Sequence, residues 1–289
     1  MRVMHISDLH FQADIPLGRL PRLGWRRLMA QVEYRLLGRR ERFLLVASTV
    51  ASLLREAERL QVEHLLVSGD VTALALPEEF EAARAALESW CGRMTILPGN
   101  HDVYTPGAAR DRLFEKAFDA ELKSDLPDLC REGPYPIVKL LGSDAAVIAL
   151  SSARVPLSPG IATGWVGQAQ REALAAIFAD ARLAKRAVLV AVHHGPFRKS
   201  GRRDRITHGM LDAREVLAIS AKGGAVGLCH GHIHHRYRGK GPLEMPVFCA
   251  GSSTQQGREG YWLYDLGPGI LRSAEPVWVS GEAAPKTAI

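Results

Sequence analysis

The chain has 289 residues, of which 47% are hydrophobic and 24% charged, enough for one large α/β domain or two small ones. It contains no run of about 18 uncharged apolar residues, which excludes a membrane-spanning helix. The four cysteines, Cys91, Cys130, Cys229 and Cys249, lie far apart, and Asp8 interrupts the apolar start that a signal peptide needs. Together these features predict a cytoplasmic protein without disulfides.

Short apolar runs alternate with longer helical patterns along the chain. They predict strands at 2–6, 64–67, 94–97, 145–150, 187–192, 225–229 and 247–250, and helices at 44–60, 78–90 and about 168–183. An antiparallel pair, 261–266 and 270–279, is predicted to close the fold through a Gly-Pro-Gly turn. Strands that alternate with crossover helices indicate an α/β fold. We find no repeat or flexible linker, so one domain is predicted over 1–280, with a flexible tail at 281–289.

Polar side chains follow directly after the predicted strands. They are Asp8, His10, Asp70, Asn100, His101, Asp102, His193, His194, His230, His232, His234 and His235. Ligands of open α/β sheets collect at the carboxyl ends of strands. We therefore expect these strand ends to form one pocket.

The residue types in this pocket indicate divalent metal ions. Imidazole and carboxylate groups suit Zn, Mn, Fe or Co, and the set is too large for one tetrahedral ion. It fits two ions about 3.5–4 Å apart that share a bridging carboxylate. Asp8-x-His10 and His232-x-His234 are each expected to place two side chains on the same side of an extended segment.

Three glycines and two other histidines have simpler expected roles. Gly69, Gly99 and Gly231 each precede a candidate ligand, where a missing Cβ would let the backbone turn sharply towards the metals. His5 and His64 lie within apolar strand patterns and are expected to be hydrogen-bonded core residues.

The order of these motifs resembles the calcineurin-like metallophosphoesterase superfamily, and within it the bacterial cyclic-nucleotide-phosphodiesterase-like branch. The matching motifs are Asp8-x-His10, Gly69-Asp70, Gly99-Asn100-His101-Asp102, His193-His194 and Gly231-His232-Ile233-His234. The resemblance runs from residue 3 to about residue 254. It implies a four-layer αββα sandwich, in agreement with the alternation of elements.

The resemblance also implies the roles of individual residues. One ion would be held by Asp8, His10, Asp70 and His234. The other would be held by Asp70, Asn100, His193 and His232, so that Asp70 bridges the two ions. His101 would stabilise the transition state or protonate the leaving oxygen. Asp102 would orient His101, although a local turn contact is the competing interpretation.

This sequence departs from the family pattern at two places. Gly195 separates the paired histidines from Pro196, whereas family members often have proline directly after the pair. That leaves open whether His193 or His194 is the ligand; we favour His193, and His194 would then contact phosphate or support a ligand. The second departure is the gap of 60 residues between His10 and Asp70, which is filled by a cationic segment.

The cationic segment, residues 16–43, has eight arginines against two glutamates, which accounts for the net charge of +6. Its apolar residues fall at helical spacing, at Trp25, Leu28, Met29, Val32 and Leu36. This basic amphipathic helix would either pack its apolar stripe on the domain edge or lie on anionic lipid at the inner face of the membrane.

A second basic cluster follows the paired histidines and is opposed only by Asp204. It contains Arg198, Lys199, Arg202, Arg203 and Arg205, of which the first four, with His194, are candidate substrate contacts. These side chains could hold the phosphates of a polyanionic substrate, or they could be solvated loop charges. Residues 105–136, which contain four prolines, are a candidate cap over the pocket.

Hydrolysis of phosphoric esters by a hydroxide that bridges two cations is the expected function, with phosphodiesters first. Manganese, iron and zinc all tolerate the ligand set. One alternative is a pyrophosphatase for a nucleotide-sugar lipid such as UDP-diacylglucosamine; another is a catalytically inactive scaffold. Because the positive charge is confined, a specific nucleic-acid partner is not expected.

Overall fold

The computed structural model describes residues 1–16, 18–19, 23–36, 41–158 and 160–279, with only the backbone described for 31–36. The strands are β1 Arg2–Ile6, β2 His64–Val67, β3 Met94–Ile96, β4 Ile137–Leu141, β5 Ala145–Leu150, β6 Ala187–Val192, β7 Gly227–His230, β8 Tyr237–Lys240, β9 Pro246–Cys249, β10 Gly260–Gly267 and β11 Ile270–Trp278. The α-helices are α1 Gly24–Leu36, α2 Val46–Arg59, α3 Pro77–Leu87, α4 Pro106–Arg110, α5 Leu113–Ala117, α6 Gln168–Phe178 and α7 Ala213–Lys222. Short 3-10 turns lie at Glu41–Phe43, Glu88–Trp90, Pro127–Leu129, Ala181–Leu183 and Pro242–Glu244.

The strands form two mixed sheets. In the first sheet the order is β11-β10-β1-β2-β3, with β1, β2 and β3 parallel and β10 antiparallel to β1. In the second the order is β4-β5-β6-β7-β9-β8, with β5, β6, β7 and β9 parallel and the two edge strands antiparallel to their neighbours. The parallel strands of each sheet therefore direct their carboxyl ends to a common edge.

Two hydrophobic cores define the layers. Alternate residues of β5 serve each of them: Val147 packs in the core that contains the first sheet, whereas Ile148 packs in the core beneath α6 and α7. On the other side, α2 and α3 pack on the first sheet through residues such as Leu53 and Phe80. The layers run helix, sheet, sheet, helix, which confirms the predicted αββα sandwich.

The predicted elements agree closely with the structure in the sheet interiors. Strands at 2–6, 64–67, 145–150 and 187–192 are confirmed residue for residue. The antiparallel closing pair is confirmed with ends that differ by at most one residue from the predicted 261–266 and 270–279. The predicted basic helix forms as α1, although the side chains of Val32 and Leu36 lie outside the described residues, as does the predicted tail.

Edge elements were missed. The pattern did not predict the edge strands β4 and β8, and in β8 only Tyr237 is buried, so that apolar alternation is nearly absent there. In the candidate cap segment, Phe114 and Phe118 lie in the main core, with the ring of Phe114 6.4 Å from that of Phe80. A covering role for the segment stays a prediction. None of the described helices combines the length and apolar character needed to cross a bilayer.

The two histidines expected in the core are there. His5 is buried with Nδ1 2.9 Å from the Tyr264 hydroxyl and Nε2 2.8 Å from Ser68 Oγ. His64 is buried on β2 with Nε2 2.8 Å from Thr95 Oγ1. Both are structural residues of the first sheet.

His64 gives the stability of the fold a predictable pH dependence. Burial lowers the pKa of His64 to about 4, whereas its pKa in the unfolded protein would be about 6.5. Stability from the neutral ring is present above the unfolded pKa and is lost as the pH falls through the folded pKa, by about 3 kcal/mol in all. Urea denaturation should show that, between pH 7 and pH 4, the free energy of unfolding falls less for His64→Gln than for the unmodified chain. Equal losses would contradict this assignment.

Candidate metal centre

The candidate site lies where the carboxyl ends of five strands meet. The first sheet contributes the loops after β1, β2 and β3, and the second contributes the loops after β6 and β7. Three groups of side chains have potential ligand atoms within 4.8 Å of one another: Asp8, His10 and His234; His10, Asp70 and His101; and Asp70, His193 and His232. The strand ends predicted to share one pocket are therefore brought together.

The first group surrounds the Asp8 carboxylate. Asp8 Oδ1 lies 3.1 Å from His234 Nε2 and 4.0 Å from His10 Nε2, and the two imidazole nitrogens are 3.1 Å apart. The other nitrogen of His234, Nδ1, lies 3.1 Å from Gln255 Oε1. When Nδ1 donates to that oxygen, Nε2 faces the carboxylate with a lone pair, as a metal ligand would.

The second group repeats this arrangement around Asp70. His193 Nε2 lies 3.2 Å from Asp70 Oδ2 without hydrogen-bond geometry, and its Nδ1 lies 2.8 Å from the Ser68 carbonyl oxygen. His232 Nε2 lies 2.8 Å from the His208 carbonyl, which leaves Nδ1 as the nitrogen for the cluster. Backbone carbonyls on the outer nitrogens fix the tautomer and the ring orientation of such ligands.

Burial and mutual charge set the ionisation of the cluster. Burial alone would raise the pKa of Asp70, but the neighbouring His193 and His101 hold it well below its usual range. Burial would likewise lower the pKa of His193, but the Asp70 carboxylate raises it to about 9. Burial keeps the pKa of His10 and of His232 well below the ordinary value. The site therefore holds carboxylates together with neutral His10 and His232 imidazoles, whereas His193 retains a proton that a bound metal ion would displace.

Several buried atoms have no partner in the described part of the chain. Asn100 Oδ1, His10 Nδ1 and His193 Nε2 are enclosed and accept or donate no hydrogen bond there. Buried polar atoms are normally paired, so such atoms in one cluster indicate a missing ligand. Carboxylate, amide and imidazole donors of this kind fit two divalent cations. Asp70 is the carboxylate that two of the groups share, as expected for a bridging ligand.

The backbone reaches these positions in a different way from the one expected. Asp8, His10, Asp70, His232 and His234 all have φ between 52° and 68°, in the left-handed region. The expectation of extended D-x-H and H-x-H segments was therefore wrong. Such conformations cost about 1–2 kcal/mol each for non-glycine residues, so the surrounding contacts must hold them.

Those contacts connect the loops directly. The amide of Asp8 donates to the Gly69 carbonyl at 3.0 Å, and the amide of His10 donates to the Asp70 carbonyl at 3.0 Å. The amide of His232 donates to Asp8 Oδ2 at 2.9 Å. The Asp8 carboxylate thus connects the loop after β1 to the loop after β7.

The predicted glycines are required mostly for close approach. A Cβ on Gly99 would lie 2.0 Å from Asp70 Oδ1, and a Cβ on Gly231 would lie 2.0 Å from Ser7 Oγ. Only Gly69, with φ of +101°, has the left-handed backbone that a sharp turn at glycine implies. The expectation of a glycine turn therefore holds for Gly69, whereas Gly99 and Gly231 leave room for side chains.

His101 and Asp102 take different partners. The ring of His101 has Nδ1 2.6 Å from the Ala73 carbonyl, and its amide donates to Asp70 Oδ1 at 2.8 Å. The Asp102 carboxylate accepts hydrogen bonds from the amides of Val71, Thr72 and Gly99 and from the Thr72 hydroxyl. Of these contacts only that with Gly99 is the local turn contact, whereas those with Val71 and Thr72 reach the loop after β2. The Ala73 carbonyl, and not Asp102, is the group that orients His101.

The paired histidines are distinguished by their neighbours. His193 belongs to the Asp70 group, whereas His194 Nδ1 lies 2.8 Å from Ser152 Oγ and its ring is 4.5 Å from that of His232. His194 Nε2 is buried without a partner among the described residues. The geometry favours His193 as the ligand, and the assignment of both residues stays a prediction.

The structure divides the second basic cluster. Arg198 and Lys199 line a cavity of about 540 Å³ together with Arg205, whereas Arg203 lines an adjoining cavity of about 430 Å³ that shares Asp204 and Arg205 with the first. Arg202 is exposed, and its carbonyl accepts from the amide of Arg198 at 2.9 Å. Four basic residues adjacent in sequence therefore do not act on one surface.

Sequence reasoning missed several residues around the metal cavity, which has a volume of about 200 Å³. His208 lines it, and its ring lies 4.0 Å from that of His232. Phe43 packs its ring 4.9 Å from that of His10, and Gln255 orients His234. None of these belongs to a motif, because loops distant in sequence bring them to the site.

The chain belongs to the calcineurin-like phosphoesterase family, whose model matches residues 1–236. A dimetal phosphatase from Danio rerio shares the fold, with a TM-score of 0.66, 13% identity, and coverage of 96% of this chain and 99% of that one. A purple acid phosphatase from yellow lupin seeds has a TM-score of 0.55 and 11% identity, covering 91% of this chain and 48% of that one. No curated protein matches the sequence significantly. The chain is thus a phosphoester hydrolase by family, with side-chain clusters that fit two metal ions.

Asp102 provides a test of how the site is held together. We expect Asp102→Ala to lower the free energy of unfolding of the metal-free protein by at least about 2 kcal/mol, because it leaves buried amides unpaired. Asp111→Ala, which removes an exposed carboxylate bonded to Arg110, is the matched control and should change it by less than about 0.5 kcal/mol. Urea denaturation measures both. Equal small effects would show that Asp102 does not hold the loops.

Proposed function

We propose that the protein is a dinuclear-metal-dependent phosphodiesterase. The observation that carries this proposal is the pair of ligand groups, one around Asp8 and one around Asp70, each with histidine nitrogens facing a carboxylate. Two cations bound there would supply positive charge for the phosphoryl oxygens and would lower the pKa of the attacking water. The proposed metal ligands are Asp8, His10, Asp70, Asn100, His193, His232 and His234.

Hydrogen bonds from neighbouring residues orient the candidate ligand histidines. Ser68, His208 and Gln255 fix three ligand histidines through their outer nitrogens, which keeps the inner nitrogens available. With Nδ1 on the Ala73 carbonyl, His101 would use Nε2 to exchange a proton with the leaving oxygen. We therefore propose His101, rather than Asp102, for the proton transfer.

Two adjoining cavities support a diester substrate. The metal cavity of about 200 Å³ shares Gly160 and His208 with the cavity of about 540 Å³. A phosphodiester has two organic substituents, and one of them could extend from the metals into the larger space. The resemblance of the motifs to the cyclic-nucleotide-phosphodiesterase-like branch supports the same choice.

The direct test compares bis(p-nitrophenyl) phosphate with p-nitrophenyl phosphate after metal removal and reconstitution with Mn²⁺. We expect faster cleavage of the diester. Asn100→Ala should lower kcat by at least about 100-fold, because even partners outside the first ligand shell cost 10–100-fold when removed. Gln168→Ala, which removes an exposed amide on α6, is the matched control.

Faster cleavage of the monoester would contradict the diester proposal and make the protein a phosphomonoesterase. Activity on neither ester would contradict it as well and would leave the lipid-linked pyrophosphate substrate or the inactive scaffold. Near-full activity in Asn100→Ala with metal supplied would overturn the two-metal assignment itself.

A lipid-linked pyrophosphate at the inner face of the membrane is the second candidate substrate. Trp25, Met29 and Leu157 are 59%, 54% and 84% exposed, so these apolar residues are not packed on the domain edge. Arg26 joins this region by hydrogen bonds to the Pro156 and Leu157 carbonyls, and Ala30 of α1 lines the metal cavity. Exposed apolar side chains among arginines, beside the site, favour contact with anionic lipid.

Vesicle co-sedimentation tests this second candidate. We expect binding to phosphatidylglycerol vesicles at low ionic strength that is largely lost at about 0.5 M salt, because the charges are then screened. Trp25→Ser combined with Met29→Ser should weaken binding at least about 10-fold, since both side chains would be buried in the interface. Trp165→Ser, at a tryptophan 47% exposed beside Arg154, is the matched control. Equal binding to neutral phosphatidylcholine, or none to either, would contradict it.

A further inference from the structure

The larger cavity beside the metal site is strongly basic. Its charged and titratable lining consists of Arg198, Lys199, Asp204, Arg205, His208 and His235. Three of these are cations at neutral pH, and Asp204 is the one carboxylate among the lining residues. We call this space the basic cavity. A cavity with an excess of cations is a binding site for an anion.

Asp204 offsets only one of these three positive charges, and its carboxylate is buried. Its side chain is only 1% exposed, and Oδ1 accepts from Arg198 Nε at 2.6 Å and from the Arg205 amide at 2.7 Å. Its Oδ2 lies 2.6 Å from His208 Nδ1. The carboxylate therefore fixes the positions of the Arg198 and His208 side chains.

The contact with Asp204 leaves the two Nη groups of Arg198 available to bind an anion. Asp204 contacts the guanidinium through Nε, so the two Nη groups can bind an anion side by side. The Arg198 side chain is 41% exposed, which keeps it accessible from solvent. Two parallel donors suit the oxygens of a phosphate group.

The basic cavity adjoins the metal cavity at Gly160 and His208. His208 lines both, its ring lies 4.0 Å from that of His232, and its carbonyl lies 2.8 Å from His232 Nε2. A chain of contacts thus runs from Asp204 through His208 to a candidate metal ligand. A substrate held at the metals can reach the basic cavity with a short substituent.

We propose that the basic cavity binds a second phosphate group of the substrate. The substrate class is then a phosphodiester with a further phosphate on one of its substituents, for example a nucleotide phosphorylated at two positions. This inference rests on the proposed diester hydrolysis and specifies its substrate. Arg198 and Lys199 are the residues that would make the contact, with Arg205 contributing charge.

A matched pair of chromogenic diesters tests the inference. Thymidine 5′-(p-nitrophenyl phosphate) and its 3′-phosphorylated derivative release the same nitrophenol and differ only in the second phosphate. We expect a KM at least about 10-fold lower for the 3′-phosphorylated ester, as a charged hydrogen-bonded pair provides. Calorimetric titration with thymidine 3′,5′-bisphosphate and thymidine 5′-phosphate should show the same order of Kd values.

Variants assign the preference to the basic cavity. Arg198→Gln and, independently, Lys199→Gln should each reduce the preference for the 3′-phosphorylated ester several-fold. The second variant keeps the test open if loss of the Asp204 contact perturbs folding. Arg214→Gln, an exposed arginine on α7, is the matched control and should keep the preference.

Failure of the second-phosphate inference can be distinguished from failure of the proposed diester hydrolysis. Equal KM values for the two thymidine esters, both cleaved, would overturn the second-phosphate inference and leave diester hydrolysis intact. Cleavage of neither thymidine ester nor bis(p-nitrophenyl) phosphate would overturn the proposed function. A preference that survives in both cavity variants would show that the second phosphate binds elsewhere.

Discussion

Electron-rich atoms face one another, buried, at the junction of the two sheets. Asp8 Oδ1 lies 3.1 Å from a nitrogen of His234, and Asp70 Oδ2 lies 3.2 Å from a nitrogen of His193. The outer nitrogens of both rings lie against oxygen partners, so each inner nitrogen presents a lone pair when its ring is neutral. The raised pKa of His193 shows that a proton occupies this contact when no metal ion is bound. Lone pairs opposed in a dry site repel, and only a proton or a cation between them removes the penalty. One cation between Asp8 and His234 and another between Asp70 and His193 would remove the repulsion at both contacts, and carboxylate and imidazole are ligands that divalent metal ions prefer.

The scaffold maintains this unfavourable arrangement through contacts spread over both sheets. Five candidate ligands adopt left-handed backbone conformations, and hydrogen bonds between loops after different strands hold them there. Asp102 ties the loop after β2 to the loop after β3 by accepting amides from both. Local strain is thus offset by packing elsewhere, a common property of functional sites.

Much of the architecture was predictable, because buried strands have continuous apolar runs and the ligands follow directly after them. The order of Asp8, Asp70, Asn100, His193 and His232 along the chain also predicted one pocket, and the structure brings these residues together. Local backbone geometry was not predictable, since a D-x-H spacing fits an extended strand as well as a left-handed turn. The role of His208 depends on a loop whose position is set by Asp204 through tertiary contacts, and no short motif encodes such contacts.

The central claim is that Asp70 bridges two metal ions. Anomalous diffraction from crystals of the Mn²⁺-reconstituted protein would locate the ions directly. Two peaks about 3.5–4 Å apart on either side of the Asp70 carboxylate, one beside His234 and the other beside His193, are the predicted result. A single peak, or two peaks that do not share Asp70, would contradict the account.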